Sequence, residues 1–328
     1  MITAAITGAL AGVAMGYVLQ RGQLCFHSTI KDSLDGRFLL ARGWALGVAL
    51  ASVGLALLFL LPGTDGLNQG LAFRPIANVV GGLVIGVGMV VARSCVSGLF
   101  YKLGSGMLGA LVGLAGWAAG ELLARQLTLP GPTVLPGGEA ATLPGVLGLP
   151  RLLVAALLLT SVAVALWRRP GRESPDHDWQ WGWRRIGVGL GVAITTGWAL
   201  AALGGSSFGP SSVGAVVSVA GGSPNYWLIT FLLGIVAGGT LSARTAGGFW
   251  LRGEETDPLP PARGRWPAPR GRWLDRRGLQ PRARAIRCGA AQRLVTRRRG
   301  GDGRRSLDRA TRPTSRHTLV IRDGAHAT

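Results

Sequence analysis

Seven apolar stretches, each close to the roughly 20 residues a helix needs to cross a bilayer, constrain this chain more than any other feature. They cover residues 3–20, 43–61, 77–92, 105–124, 152–167, 186–203 and 225–243. Gly, Ala and Ser fill them, as expected where helices must approach closely in lipid to hold together. The first stretch lacks a basic start and runs unbroken into Cys25, so it reads as a span and not as a removable signal. A chain of 328 residues patterned this way is expected to form an all-α polytopic membrane protein, not two soluble domains.

Charge follows the same plan. Arg37, Arg42, Lys102, the loop from Arg168 to Arg185, Arg244 and Arg252 alternate with stretches 62–73 and 126–149, which hold no Lys or Arg. The positive-inside rule puts the basic connections in the cytoplasm and the two neutral ones outside. The net charge of +20 comes mostly from the end of the chain, where residues 257–328 hold 19 Arg, 5 Asp and no Lys or Glu. Composition therefore divides the chain into a membrane transport domain, 1–252, and an Arg-rich tail, 253–328. Three readings of the tail compete: a disordered basic extension, a patch for nucleic acid or anionic lipid, or GC-rich coding DNA translated out of frame.

Two short runs break the apolar pattern: Gln20-Arg21-Gly22-Gln23-Leu24-Cys25-Phe26 and Val91-Ala92-Arg93-Ser94-Cys95-Val96-Ser97-Gly98. Each sets a cysteine shortly after an arginine, a residue that costs about 2.5–3.5 kcal/mol at the centre of a membrane helix and so marks a site unless it lies at an interface. Beyond each break the chain is too polar and too short to span. Arg21–Asp32 carries His27, Lys31 and Asp32, and Ser94–Lys102 behaves alike, so both are predicted half-helices. Such breaks are tolerated where protein or a cavity surrounds them, and transporters aim the positive ends of half-helices at anions. A loose repeat accompanies them, with Gly16 nine residues before Cys25 and Gly88 seven before Cys95.

Cys25, Cys95 and the tail's Cys288 imply no disulfide framework. A lone apolar cysteine is as readily a core filler, and the paired motif favours a site; for Arg21 and Arg93 the cytoplasmic position that the topology suggests favours an interfacial anchor at a helix end. Lys31 and Asp32 read as an interfacial pair, and Trp167, Trp179, Trp181, Trp183 and Trp198 fit an interfacial belt. His177 with Asp176 and Asp178 is too sparse for a metal site. With no phosphate-binding loop, dinucleotide fingerprint or Ser/His/Asp arrangement in view, no cofactor and no ATP-driven step are expected.

The run Gln20–Phe26, the run Cys95-Val96-Ser97-Gly98-Leu99-Phe100-Tyr101-Lys102-Leu103-Gly104, and the Gly197-Trp198 and Ser207-Phe208-Gly209-Pro210 region resemble the YeeE/YedE family of sulfur-compound transporters. The resemblance spans roughly residues 1–252. It implies a pseudo-symmetric helical bundle in the bacterial inner membrane, with short re-entrant half-helices meeting at a central constriction. It also implies import of thiosulfate or a related sulfur anion, handed along by cysteines through transient hydrogen bonds, often beside a small sulfurtransferase-like partner. On that basis Cys25 and Cys95 are relay residues, Arg21, Arg93 and Lys102 candidates for drawing the anion in, and His27 a candidate accessory. Thiosulfate is a small dianion with a soft terminal sulfur. Its conduit needs positive potential and weak, replaceable donors, which helix N-termini and thiols supply; thiolates would repel it, so neutral thiols are expected.

One family feature is missing. The family carries a third cysteine in a Gly-Cys-Asn-Leu/Ile-Gly run near its C-terminus, and Ile286-Arg287-Cys288-Gly289 does not match it. Read one base later, however, permitted codons for Leu274–Gly289 spell Trp-Thr-Ala-Ala-Ala-Cys-Asn-Leu-Gly-His-Gly-Leu-Ser-Gly-Ala, which contains such a run. A one-base shift between roughly Glu255 and Leu274 is therefore expected. Other classes of function stay open: a membrane thiol enzyme (sulfurtransferase or redox relay) on the same cysteines, or a non-functional truncated relative. A nucleic-acid binder using the tail is disfavoured, because a frame shift removes its basis.

Overall fold

The computed structural model describes residues 1–253 except 65–66, 68–69, 128–130 and 169–173. The Arg-rich tail beyond Gly253, Cys288 and the third-cysteine question lie outside the described residues. Eleven α-helices follow in chain order. They are α1 (Ile2–Gly22), α2 (Phe26–Leu34), α3 (Leu39–Leu58), α4 (Pro75–Val91), α5 (Val96–Gly104), α6 (Ala110–Gln126), α7 (Leu143–Leu147), α8 (Arg151–Arg168), α9 (Trp183–Leu203), α10 (Ala215–Ala220) and α11 (Tyr226–Thr245). All seven apolar stretches are helical, as α1, α3, α4, α6, α8, α9 and α11. Among the described residues six helical segments are long and apolar enough to cross a membrane, while α6, at 17 residues, falls just short. The protein is an all-α polytopic membrane protein in which short half-helices α2 and α5 follow α1 and α4.

Small residues set the packing. Gly8, Gly12 and Gly16 form one stripe on α1, and a β-carbon on any of them would collide with the Trp227, Phe231 or Ile235 carbonyl of α11. The facing residues are small too, with Gly234 against Ala9 and Gly238 against the Val13 carbonyl. Backbone thus meets backbone, the close approach that lets helices associate in lipid without a hydrophobic driving force. Between α3 and α9 the fit is knob-and-notch. Ile186 and Leu190 fill the space above Gly43 and Gly47, while Leu46 and Leu50 fill that above Gly187 and Gly191. A core of α1, α3, α9 and α11 results, with Ile186, Leu190, Trp227 and Phe231 buried in it.

Connections predicted to share a side do meet. At the basic end Arg37 pairs with Asp32 (3.0 Å) and Asp176 (3.4 Å), and Met107 bridges to Arg252. At the other end Phe73 bridges to Leu135 and Arg151 pairs with Glu139 (2.9 Å). The carboxylate of Asp32 is thus joined to Arg37, where the sequence suggested its neighbour Lys31. Not every long helix is enclosed: none of the 17 residues of α4 is buried.

Candidate functional site

Both half-helices start the same way. Helix α1 closes with Gln23 in the left-handed region (φ 50°), while the Gln23 and Leu24 amides donate back to the Gln20 and Leu19 carbonyls at 3.2 and 2.9 Å. Helix α4 ends alike: Arg93 has φ 48°, and the Arg93 and Ser94 amides reach the Val90 and Met89 carbonyls at 3.3 and 3.2 Å. This is the backbone closure that usually places glycine at the left-handed residue. Among the described residues Gln23 and Arg93 are the only non-glycines with positive φ. Each stands two residues before a cysteine, and each cysteine is the N-cap of the following half-helix. The true internal repeat is this register, not the Gly16 and Gly88 spacing.

The two turns bring Cys25 and Cys95 together. Their sulfurs lie 3.4 Å apart, Cys25 is fully buried and Cys95 nearly so. The contacts cross over. The Cys95 amide donates to Cys25 Sγ at 3.1 Å, and the Phe26 amide donates to Cys95 Sγ at 3.3 Å. Two hydroxyls complete the ring, Ser94 Oγ at 3.6 Å from Cys25 Sγ and Ser97 Oγ at 3.3 Å from Cys95 Sγ. Each half-helix N-terminus, worth about half a positive charge, therefore points at the other's sulfur. Gly98, in the first turn of α5, leaves no room for a side chain: a β-carbon there would collide with Ser94 Oγ and lie 3.0 Å from Cys25 Sγ and 3.4 Å from Cys95 Sγ. Nothing in the sequence set Ser94, Ser97 and Gly98 apart from their neighbours. The only signal that could have found them is their position inside the second cysteine run.

The predicted cations sit around this pair rather than in it. Arg21 is a brace: its guanidinium donates to the Trp179 carbonyl (3.2 Å) and Thr245 Oγ1 (3.1 Å) and stacks over Tyr17. The loop before α9 returns the contact, with the Trp181 amide on the Arg21 carbonyl (2.9 Å) and the Gln180 side chain on the Gly22 carbonyl (3.3 Å). Carbonyls that α1 would leave open at its C-terminus are thereby occupied, and the turn leading to Cys25 is held in place. Arg93 is exposed, and buried Lys102, in the last turn of α5, reaches the Arg93 carbonyl at 3.5 Å. His27, the second residue of α2, is partly buried. Among the described residues no group of His, Cys, Asp and Glu is arranged to hold a metal ion.

Two buried thiols between opposed helix N-termini, inside a bundle of helices long and apolar enough to span, mark a polytopic membrane protein with a polar site where its two sequence motifs meet. The particular kind follows from comparison with known sequences. This chain belongs to the sulphur transport family, whose profile matches residues 21–259. It is similar to the thiosulfate transporter TsuA of Spirochaeta thermophila, with 28% identity over 274 residues that span 75% of this chain and 79% of the relative. The thiosulfate transporter TsuA of Escherichia coli is 29% identical over 117 residues, 35% of this chain and 32% of that protein. The probable transporter YedE of Escherichia coli is 31% identical over 94 residues, 28% of this chain and 22% of that protein. The protein is a multi-pass transporter of a sulfur compound.

Proposed function

We propose that this protein imports thiosulfate, or a closely related sulfur-containing anion, across the bacterial inner membrane, and that the anion passes Cys25 and Cys95 in turn. The observation that carries the reading is the crossed pair, two sulfurs 3.4 Å apart with each receiving an amide from the opposite half-helix. An arriving dianion finds two helix N-termini whose partial charges favour it. It also finds thiol and hydroxyl donors too weak to trap it. Taking one sulfur's place costs little, because the amide that sulfur was holding turns to the anion, and a net exchange of hydrogen bonds involves only about 1 kcal/mol. Cys25 and Cys95 act as neutral donors, so the protein is a carrier and not an enzyme. The names of the relatives support thiosulfate as cargo.

Around the pair, Arg93 and Lys102 raise the potential near the Cys95 half-helix, Arg21 adds to it while bracing the Cys25 turn, and His27 is an accessory beside it. Residues 1–252 form the transport domain, and the tail from 253 comes from the shifted frame. A small sulfurtransferase-like protein takes the delivered anion. The deciding experiment is uptake of labelled thiosulfate by cells that lack their own uptake route. Wild-type protein should confer uptake, and Cys25→Ser and Cys95→Ser should each lower it about tenfold or more, the loss expected from about 1.4 kcal/mol at the barrier. Undiminished uptake by Cys25→Ser would refute the relay. A persulfide on either cysteine after exposure to thiosulfate would instead favour a sulfurtransferase.

A further inference from the structure

Among the described residues Glu121 is the only acidic side chain in the seven long apolar helices, and the relay makes no use of it. An ionisable residue inside a membrane segment is costly and usually serves a function. Glu121 stands about 7–8 Å before the end of α6, towards the side opposite the basic connections. Helix α6 uses one face at four-residue spacing. Gly113 meets Leu99 and Trp117 meets Phe100 (5.5 Å), both on the Cys95 half-helix, and Glu121 meets the residue before α10. Its Oε1 accepts the Gly214 amide, whereas Oε2 is buried with no hydrogen-bond partner. Nor does a neighbour supply a counter-charge. The connection 204–225, which carries α10, holds no titratable side chain. Beyond its cap Cys95, α5 offers Tyr101 and Lys102, both near its far end, where Lys102 reaches the Arg93 carbonyl. On α6 itself Arg125 lies against Gly221, at the other end of α10. A charge buried without a partner is expensive, and a proton on Oε2 removes it.

We infer that Glu121 is a proton-binding site, and that the proton it takes from the outer side accompanies the cargo inward. This rests on the import reading and adds the coupling ion to it. Two negative charges entering against 100 mV of interior-negative potential face an equilibrium on the order of a thousandfold unfavourable, which a co-transported cation offsets. The proton binds Oε2, and no covalent bond to the cargo forms or breaks. Ionised, Glu121 sets a negative charge on the outer side of the Cys95 half-helix, against an approaching anion; protonated, it sets none. Proton and anion therefore favour each other's binding, and by linkage they do so reciprocally.

The test uses the purified full chain in lipid vesicles that hold a trapped pH dye, with the membrane potential abolished by potassium and valinomycin. Thiosulfate added outside should acidify the interior. Each pH unit by which the outside is made more acidic should raise the labelled thiosulfate held inside about tenfold per proton carried. Glu121→Gln keeps an oxygen for the Gly214 amide and removes the proton site. It should give as much folded protein on size-exclusion, yet lose both the acidification and the response to the pH gradient. Glu121→Asp, which retains a carboxyl, should keep both at a lower rate. Dicyclohexylcarbodiimide, which attacks protonated carboxyls in lipid, should label Glu121 of the wild type, more strongly at acid than at alkaline pH, as read by peptide mass. That readout needs neither a variant nor transport. Wild-type uptake that ignores the pH gradient, acidification by Glu121→Gln equal to the wild type's, or no labelling of Glu121 would each overturn the inference. Absence of any thiosulfate uptake by the wild type would instead sink the import reading, while the labelling still decides whether Glu121 binds a proton.

Discussion

The two cysteine-bearing units share a local build and differ in what surrounds them. Both close a long helix on a left-handed residue, and both cap a nine-residue half-helix with a cysteine. Yet α1 buries ten of its residues against α9 and α11, while α4 buries none. The glycines tell the same story. A β-carbon on Gly8, Gly12 or Gly16 meets backbone at once, and one on Gly81, Gly82, Gly86 or Gly88 meets nothing within 4 Å. The turn and half-helix are therefore alike in their backbone bonds and in the sulfur each presents, while the Cys25 turn is also braced from afar by Trp179, Gln180 and Trp181. Enclosure of the long helix is a separate matter, settled by distant parts of the chain. Small residues suited to close helix contact stand ready on α4, and no described residue uses them.

The sharpest way to probe that difference is the reading frame. Sequencing the coding DNA from codon 250 to the stop should find one base missing or extra between roughly Glu255 and Leu274. Correcting it should raise uptake about tenfold or more by supplying neighbours for α4. An intact frame, with no gain from the correction, would leave α4 facing lipid on its own account. Next in size is the effect on the shared device. If the two units are equivalent at the site, Cys25→Ser and Cys95→Ser should lower uptake by similar factors, and a large inequality would break the equivalence.

Packing should show the opposite asymmetry. Gly12→Leu drives a side chain into the Phe231 carbonyl and should lose at least the roughly 1–3 kcal/mol typical of overpacking, seen as less folded protein on size-exclusion. Gly82→Leu, on open α4, should change nothing; a comparable loss there would show that α4 is covered in the membrane by a partner already present. The smallest expected effect concerns the turns. Gln23→Gly and Arg93→Gly each relieve a left-handed residue and should stabilise by about 1 kcal/mol, in equal measure, by thermal unfolding in detergent. A gain at one turn alone would show that the two are held differently.

Much of this was legible from sequence because membrane helices announce themselves by length and apolarity alone. The seven runs, the grouping of the basic connections at one end and the half-helices after the cysteines needed no long-range information. What needed it stayed hidden. Gln23 and Arg93 carry no mark of a left-handed turn, since that signal is normally glycine and here it is absent. Arg21 looked like part of an anion's path, and its partners Trp179 and Thr245 lie 158 and 224 residues away along the chain. The meeting of Cys25 with Cys95 spans 70 residues, and only that meeting gives Gly98 a meaning. Motifs marked the two cysteine runs; tertiary contacts show which of their members meet and which brace the turns from outside.

The crossed amide–sulfur contacts also bear on what happens between deliveries. A pore that passed the proposed dianion would invite leakage, because donors that welcome such a cargo also hold a file of water. Here the Cys95 and Phe26 amides already donate to the opposite sulfurs, so water reaching them would gain little. The arrangement works as a valve seat that rests against itself. On the relay proposed above, a cell could keep this protein open to scarce sulfur without surrendering its proton gradient.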